Sequence, residues 1–167
     1  MSGSLRIAIL TVSDGVTRGD RRDESGAALE SWAAEQGHVV AHRGVVPDDR
    51  AAIGPVLSDL CDSGAIDVVL TTGGTGFTDR DVTPEATMDV IERLVPGISE
   101  ALRASGARQT PYAWLSRGIA GIRGRTLVVN LPGGTRAVVD GTIVLDPLLP
   151  HAVQLLRGER TQVHDHG

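Results

Sequence analysis

Asp67-Val68-Val69-Leu70-Thr71-Thr72-Gly73-Gly74-Thr75-Gly76 is the stretch on which the reading of this chain turns. Its first half is a short apolar run rich in β-branched residues, the pattern of a strand covered on both faces. Its second half is a glycine-rich turn. Arg80-Asp81-Val82-Thr83-Pro84-Glu85 then carries the signals of a helix start, with Thr83 as N-cap, Pro84 as the first helical residue and Glu85 as an acid in the first turn. Strand, glycine turn and helix in that order make an anion-binding site, because glycines let the backbone approach a ligand closely. Successive N–H groups and the positive end of the helix then attract phosphate oxygens. The turn fits neither of the two commonest nucleotide fingerprints. The offsets of G-x-G-x-x-G fail, and the P-loop needs a lysine, whereas all 16 basic residues here are arginine. Phosphate charge must therefore be met by backbone N–H groups, arginine or a divalent cation, and a lysine nucleophile or Schiff base is excluded.

Working outward, residues 5–12 read as a first buried strand and residues 13–22 as a polar loop. Leu29, Trp32 and Ala33 recur at helical spacing, Gly37 stops that helix, and residues 38–46 form a second strand. Ile53, Val56, Leu57, Leu60 and Cys61 mark an amphipathic helix that begins either near Pro55 or at Asp48/Asp49 with the proline inside it. After the third strand and the glycine turn, a helix is expected over 84–93. Pro96-Gly97 breaks it, and Ile98, Ala101, Leu102 and Ser105 mark another. Residues 119–122 and 126–129 pair as a hairpin across Arg123-Gly124-Arg125, and residues 147–156 form a closing helix. Alternating strands and helices imply an α/β fold with parallel strands, right-handed crossovers and helices on both faces of the sheet. Ligands in such folds sit beyond the carboxyl ends of the strands, where loops at Ser13, Asp48, Gly73 and Asn130 gather.

The 167 residues suit one domain, read as 1–158, with a polar tail at 159–167 expected to be disordered. The net charge of −5 and the few aromatics argue against nucleic acid as a partner. Without a membrane-length apolar segment or an N-terminal leader pattern, the expected location is cytoplasmic and no membrane partner is expected. Cys61 is alone, which excludes an internal disulfide, and it reads as core.

Asp48 and Asp81 are the acids of greatest interest. Each neighbours a loop on the same rim, and two carboxylates beside a phosphate-binding turn would hold magnesium. Against this stand an N-cap for Asp48 and a solvated turn for Asp81. Arg80 is either a phosphate clamp or a surface partner of Asp79 and Asp81. Ser13 and Asp14 either contact ligand or make an Asx-type turn, and for Ser116 and Arg117 loop capping is favoured over ligand contact. No Ser-His-Asp triad is supported, and His164-Asp165-His166 reads as tail rather than metal site.

Thr11-Val12-Ser13-Asp14, Thr71-Thr72-Gly73-Gly74-Thr75-Gly76, Arg80-Asp81-Val82-Thr83-Pro84-Glu85-Ala86, Pro96-Gly97, Leu115-Ser116-Arg117 and Asn130-Leu131-Pro132-Gly133 together resemble one family over nearly the whole chain. It is the molybdopterin adenylyltransferase family, the MogA/MoaB group, related to the G domains of gephyrin and its plant counterpart. The resemblance implies a three-layer αβα sandwich with a mostly parallel sheet, a homotrimer, and magnesium-dependent transfer of AMP from ATP to molybdopterin. It places the catalytic, metal-holding acids at Asp48 and Asp81, and substrate contacts at Ser13, Asp14, Thr72, Gly73, Gly74, Thr75, Gly76, Ser116, Asn130, Pro132 and Gly133. It also implies a separate molybdenum-insertion protein as partner. The alternative is a binding or scaffold protein of the same pathway that transfers no AMP. One departure stands out: Gly134-Thr135-Arg136 replaces the small residue, proline and lysine common in the family.

Overall fold

The computed structural model describes residues 3–159, so the histidine-bearing tail from residue 160 onward lies outside the described residues. Six strands form one sheet: β1 (Arg6–Val12), β2 (Val39–Val46), β3 (Val68–Thr72), β4 (Arg93–Leu94), β5 (Ala120–Arg123) and β6 (Thr126–Leu131), in the order β2-β1-β3-β6-β5-β4. The pairs β1/β2, β1/β3 and β3/β6 are parallel, whereas the hairpin β5/β6 and the short β4/β5 pair are antiparallel.

Side-chain alternation explains why both faces of the centre are covered. Ile9, Leu70 and Val129 stand in register and face one core, where α2 (Glu24–Glu35), α5 (Pro96–Ala107), α6 (Thr135–Leu145) and α7 (Leu149–Arg157) contribute Trp32, Ile98, Val138 and Val153. Their neighbours Ala8, Leu10, Val69 and Val128 face the other core, closed by α3 (Arg50–Asp62) and α4 (Thr83–Met88). The result is the expected three-layer sandwich. Cys61 belongs to the second core, and burial pushes its thiol up to about 11.

Several local readings change. The polar loop contains a short helix, α1 (Asp14–Arg18), capped by the Ser13 hydroxyl, which accepts from the Val16 N–H at 3.2 Å, and closed by Gly19 at φ 81°. Helix α3 takes the early start: Asp49 caps it and Pro55 sits inside. The helix expected over 84–93 ends at Met88, because residues further on serve the sheet. Glu92 N–H donates to Ile122 C=O and Val95 N–H to Ala120 C=O, which draws Arg93 and Leu94 into β4. Helix α6 and the 3₁₀ turn Pro111–Leu115 are additions to the elements expected from the sequence.

The start of β3 is fastened by Asp67, which is 3% exposed. Its carboxylate accepts from Arg6 N–H at 2.8 Å, from Arg6 Nε at 3.2 Å and from the Arg157 guanidinium at 2.9 Å. Burial alone would raise this carboxyl, but the hydrogen bonds from Arg6 and Arg157 and the charge of Arg157 outweigh it and hold it below the ordinary carboxylate value. A depressed folded-state value means that the stabilisation is complete above the unfolded value of about 3.9 and is lost as pH falls through the folded one. We expect Asp67→Asn to lose about 1–3 kcal/mol at neutral pH. The gap between variant and parent should shrink below about pH 4 in denaturant titrations.

Candidate active site

The glycine turn is shaped by contacts that leave no room for side chains. Gly73 and Gly74 have φ 101° and 68°, in the left-handed region. A Cβ on Gly73 would lie 2.3 Å from the Val12 carbonyl oxygen, and one on Gly74 would lie 2.2 Å from Thr83 Oγ1 and 3.1 Å from Asp48 Oδ1. Thr83 is thus not the N-cap. It is the first residue of α4, and its hydroxyl donates to the Gly73 carbonyl at 2.9 Å, tying turn to helix. The Gly73 N–H goes to Leu131 C=O at 3.1 Å, whereas those of Gly74, Thr75 and Gly76 meet no acceptor among the described residues. Three successive open donors are what an anion-binding turn requires.

Arg117 clamps this turn to the loop behind it. Its Nε donates to Gly76 C=O at 2.8 Å, one terminal nitrogen donates to Asp81 C=O at 2.7 Å, and the guanidinium pairs with Glu85. Loop capping is therefore its role, and the hydrogen bonds of Arg117 hold the Glu85 carboxyl below its ordinary value.

Two cavities open on either side of the turn. One, of about 400 Å³, is polar and is lined by Ser13, Thr72, Gly73, Gly74 and Gly133 with both Asp48 and Asp81. The other, of about 480 Å³, has mostly apolar walls and takes in Thr75, Gly76, Ser116, Asn130 and Pro132 together with Leu102, Ala113, Arg103 and Arg136. The fold thus gathers the sequence-chosen residues at the carboxyl ends of β1, β3 and β6, but divides them between two compartments. Asp14 lines neither.

The two acids differ in how they are held. Asp48 does not cap α3, since Asp49 does. Asp48 Oδ2 accepts the Asp14 N–H at 2.9 Å, while Asp14 Oδ1 accepts the Asp48 N–H at 3.0 Å, so the first two loops grip each other reciprocally. Arg80 completes the link. Its fork donates to Asp14 at 2.9 and 3.0 Å, and not to Asp79 or Asp81. Burial raises the Asp48 carboxyl, the negative charges of Asp14 and Asp81 add to the rise, and the Asp14 hydrogen bond and Arg80 oppose it. Asp81 makes the Asx-type turn, with Oδ2 accepting from Thr78 N–H at 2.9 Å and Thr78 hydroxyl at 2.8 Å. Each aspartate therefore keeps Oδ1 without a protein donor among the described residues.

Other expected contact residues prove to be built into the frame. Thr72 is fully buried, donates to Pro132 C=O at 2.8 Å and meets Ser25 at 3.0 Å. The Asn130 amide donates to Thr71 and Thr87 hydroxyls, each at 3.0 Å, and accepts from Ile119 N–H at 3.2 Å. These two side chains hold the ligand loops in place and have no donor left for a ligand. Sequence reading passed over Arg21, Arg22 and Asp23 at the polar cavity and Arg103 at the apolar one. Only the absence of lysine hinted that such arginines would matter.

Fold and site define an α/β domain with a glycine turn of open N–H groups and two acids beside paired cavities at the sheet's carboxyl edge. Residues 8–151 match the family described as "Probable molybdopterin binding domain", and the chain belongs to it. It is 36% identical over 164 residues to the Helicobacter pylori (strain J99) protein named molybdopterin adenylyltransferase, covering 97% of this chain and 93% of that one. It is 40% identical to the Drosophila melanogaster molybdenum cofactor synthesis protein cinnamon over 92% of this chain, spanning only 26% of that longer protein. The crystal structure of the molybdopterin biosynthesis enzyme MoaB from Thermus thermophilus superposes with a TM-score of 0.86 at 45% identity, over 92% of this chain and 97% of that one. No helix among the described residues is long and apolar enough to cross a membrane.

The geometry sets an expectation for the turn. The family resemblance places a substrate contact at Gly74, and the contact with Thr83 and the left-handed φ give this residue a structural role as well. Gly74→Ala should lower stability by about 1–3 kcal/mol. Thermal unfolding of the variant within a degree of the parent would contradict this.

Proposed function

We propose that this protein catalyses magnesium-dependent transfer of AMP from ATP to molybdopterin, releasing pyrophosphate, in molybdenum cofactor biosynthesis. The observation that carries the reading is the convergence on one polar cavity of Asp48 and Asp81, each with an open oxygen, and Gly74, whose N–H is open, while Thr75 and Gly76 carry the next open N–H groups into the neighbouring cavity. The relatives named molybdopterin adenylyltransferase support the reaction and its substrates.

The residues present fit magnesium. Asp48 and Asp81 line one cavity and each keeps a carboxylate oxygen without a protein donor among the described residues, hard oxygen donors of the kind magnesium takes beside waters and substrate phosphates. Asp48 and Asp81 would hold it through their Oδ1 atoms, and when bound it supplies positive charge to the phosphate oxygens. Asp48 is half-buried and repelled by Asp14 and Asp81, so its environment favours neutralisation by a cation.

The chain's own part is positioning. The terminal phosphate of molybdopterin attacks the α-phosphorus of ATP, one P–O bond forms, the bond to the β-phosphate bridge breaks, and pyrophosphate departs. No protein nucleophile is required, in keeping with the absent lysine and the buried Cys61. The N–H groups of Gly74, Thr75 and Gly76 aim fixed dipoles at the transferring group. The apolar cavity accepts a flat ring, leaving phosphates on the polar side of the turn. The protein acts in the cytoplasm, and its product passes to a separate molybdenum-insertion protein.

Incubation with molybdopterin, ATP and magnesium should yield pyrophosphate and adenylylated pterin. Asp48→Asn and Asp81→Asn should each lower transfer by about 10²–10³-fold while molybdopterin still binds. Near-normal turnover in both variants would overturn the assignment, and pterin binding without any AMP transfer by the parent would favour a scaffold.

The protein is also proposed to be a homotrimer. Val139 and Ile143, one turn apart on α6, are 48% and 67% exposed, and Leu148 and Leu155 follow them on the outside. Apolar side chains left on a surface in this way suit an interface between identical subunits. Size exclusion with light scattering should give three times the subunit mass at micromolar concentration, and Ile143→Glu should dissociate it; a monomeric mass for the parent refutes the trimer.

A further inference from the structure

We propose that Arg21 and Arg22, exposed residues lining the polar cavity, grip the distal phosphates of the nucleoside triphosphate and so select it over the monophosphate; this rests on the nucleotide reading above.

The argument begins from charge. The polar cavity is lined by Asp23, Glu24, Asp48 and Asp81, so a polyphosphate entering it meets acids on several sides. A chain without lysine has only arginine and bound cations to set against that repulsion. The arginines around the site are almost all committed. Arg80 is forked onto Asp14, Arg117 is paired with Glu85 and two carbonyls, and Arg43 is paired with Asp23 at 2.5 Å and with Glu30 at 3.3 Å. Arg21 and Arg22 line the cavity, are exposed, and make no ion pair among the described residues. They are the cations left over on the polar side of the turn.

Their placement is built rather than incidental. Arg21 lies across Gly15: a Cβ there would stand 2.7 Å from Arg21 Cδ, so the missing side chain leaves a seat for the arginine stem. The Gly15 carbonyl accepts the N–H groups of Asp20 at 2.9 Å and Arg21 at 3.3 Å, which folds the segment after α1 back onto the first turn of that helix. Arg22 precedes an anchored residue, because Asp23 is held by the Thr11 hydroxyl at 2.9 Å, the Gly26 N–H at 3.1 Å and Arg43. Two planar guanidinium forks on one cavity suit the several oxygens of a pyrophosphate unit. Because Arg21 and Arg22 are exposed whereas Asp48 and Asp81, on the same cavity, are partly buried, the arginines meet the phosphates that leave rather than the one transferred.

The test is titration calorimetry of the full chain, with magnesium, against ATP, inorganic pyrophosphate and AMP. The double variant Arg21→Gln/Arg22→Gln should bind ATP and pyrophosphate roughly 10–100-fold more weakly. It should bind AMP as the parent does and unfold at the parent's temperature. Arg21→Lys/Arg22→Lys should recover part of the loss, and Gly15→Ala should give a smaller version of it by displacing the Arg21 stem. In turnover the double variant should raise KM for ATP more than it lowers kcat. Unchanged affinity for pyrophosphate, or an equal loss for AMP, overturns the inference. If the parent makes adenylylated pterin and the double variant still binds pyrophosphate normally, the inference falls alone. If the parent binds neither ATP nor pyrophosphate, the proposed function falls and takes the inference with it.

Discussion

The close approach of Gly73 to the end of β1 is the constraint on which the rest of the site depends. A Cβ at Gly73 would be 2.3 Å from the Val12 carbonyl oxygen, so only a bare backbone lets β3 turn out of the sheet at that point. Once it does, the Gly73 N–H is taken by Leu131 at the end of β6 and its carbonyl by the Thr83 hydroxyl. The turn is thereby fastened to three elements at once, and the next three N–H groups are left without an acceptor among the described residues. An anion nest needs donors that cannot relax toward protein acceptors, and this packing supplies that rigidity.

Arginine does the joining that a mixed set of cations does elsewhere. Arg117 joins the glycine turn to Asp81 and Glu85, Arg80 joins the third loop to Asp14, and Arg157 joins the last helix to Asp67. A guanidinium can donate in several directions within one plane, so it bridges carbonyls and carboxylates from different loops, which a compact ammonium does less well. The same geometry suits arginine to phosphate. Whether a given arginine serves the frame or a ligand is then decided by whether a carboxylate already occupies its fork.

The local features of the site were legible where one residue's own chemistry sufficed. Gly73 and Gly74 declared a tight turn, the buried run before them declared a strand, and Asp48 and Asp81 were marked by their place after strand ends. Readings that depended on a partner far along the chain were not legible. Thr83 carries every local sign of an N-cap, yet its hydroxyl serves a carbonyl ten positions earlier, across the turn. Arg80 has two acidic neighbours in sequence and chooses a third acid 66 residues away. Asn130 and Thr72 sit in motifs that suggest ligand contact, and both are engaged inside the protein.

By itself the sequence determined the α/β alternation, the central buried strands, the hairpin of β5 and β6, the inert Cys61 and the exclusion of lysine chemistry. These follow from periodicity, turn residues and composition, which act over a few neighbouring positions. Only the tertiary structure decided that the chosen residues divide between a polar and an apolar cavity, that Asp14 and Asp48 hold each other's backbone, and that β4 ends the helix early. Those outcomes depend on which acceptors lie within about 3 Å once the sheet has formed. Strand order brings residues 14, 48 and 80 together, and spacing along the chain carries no record of that distance.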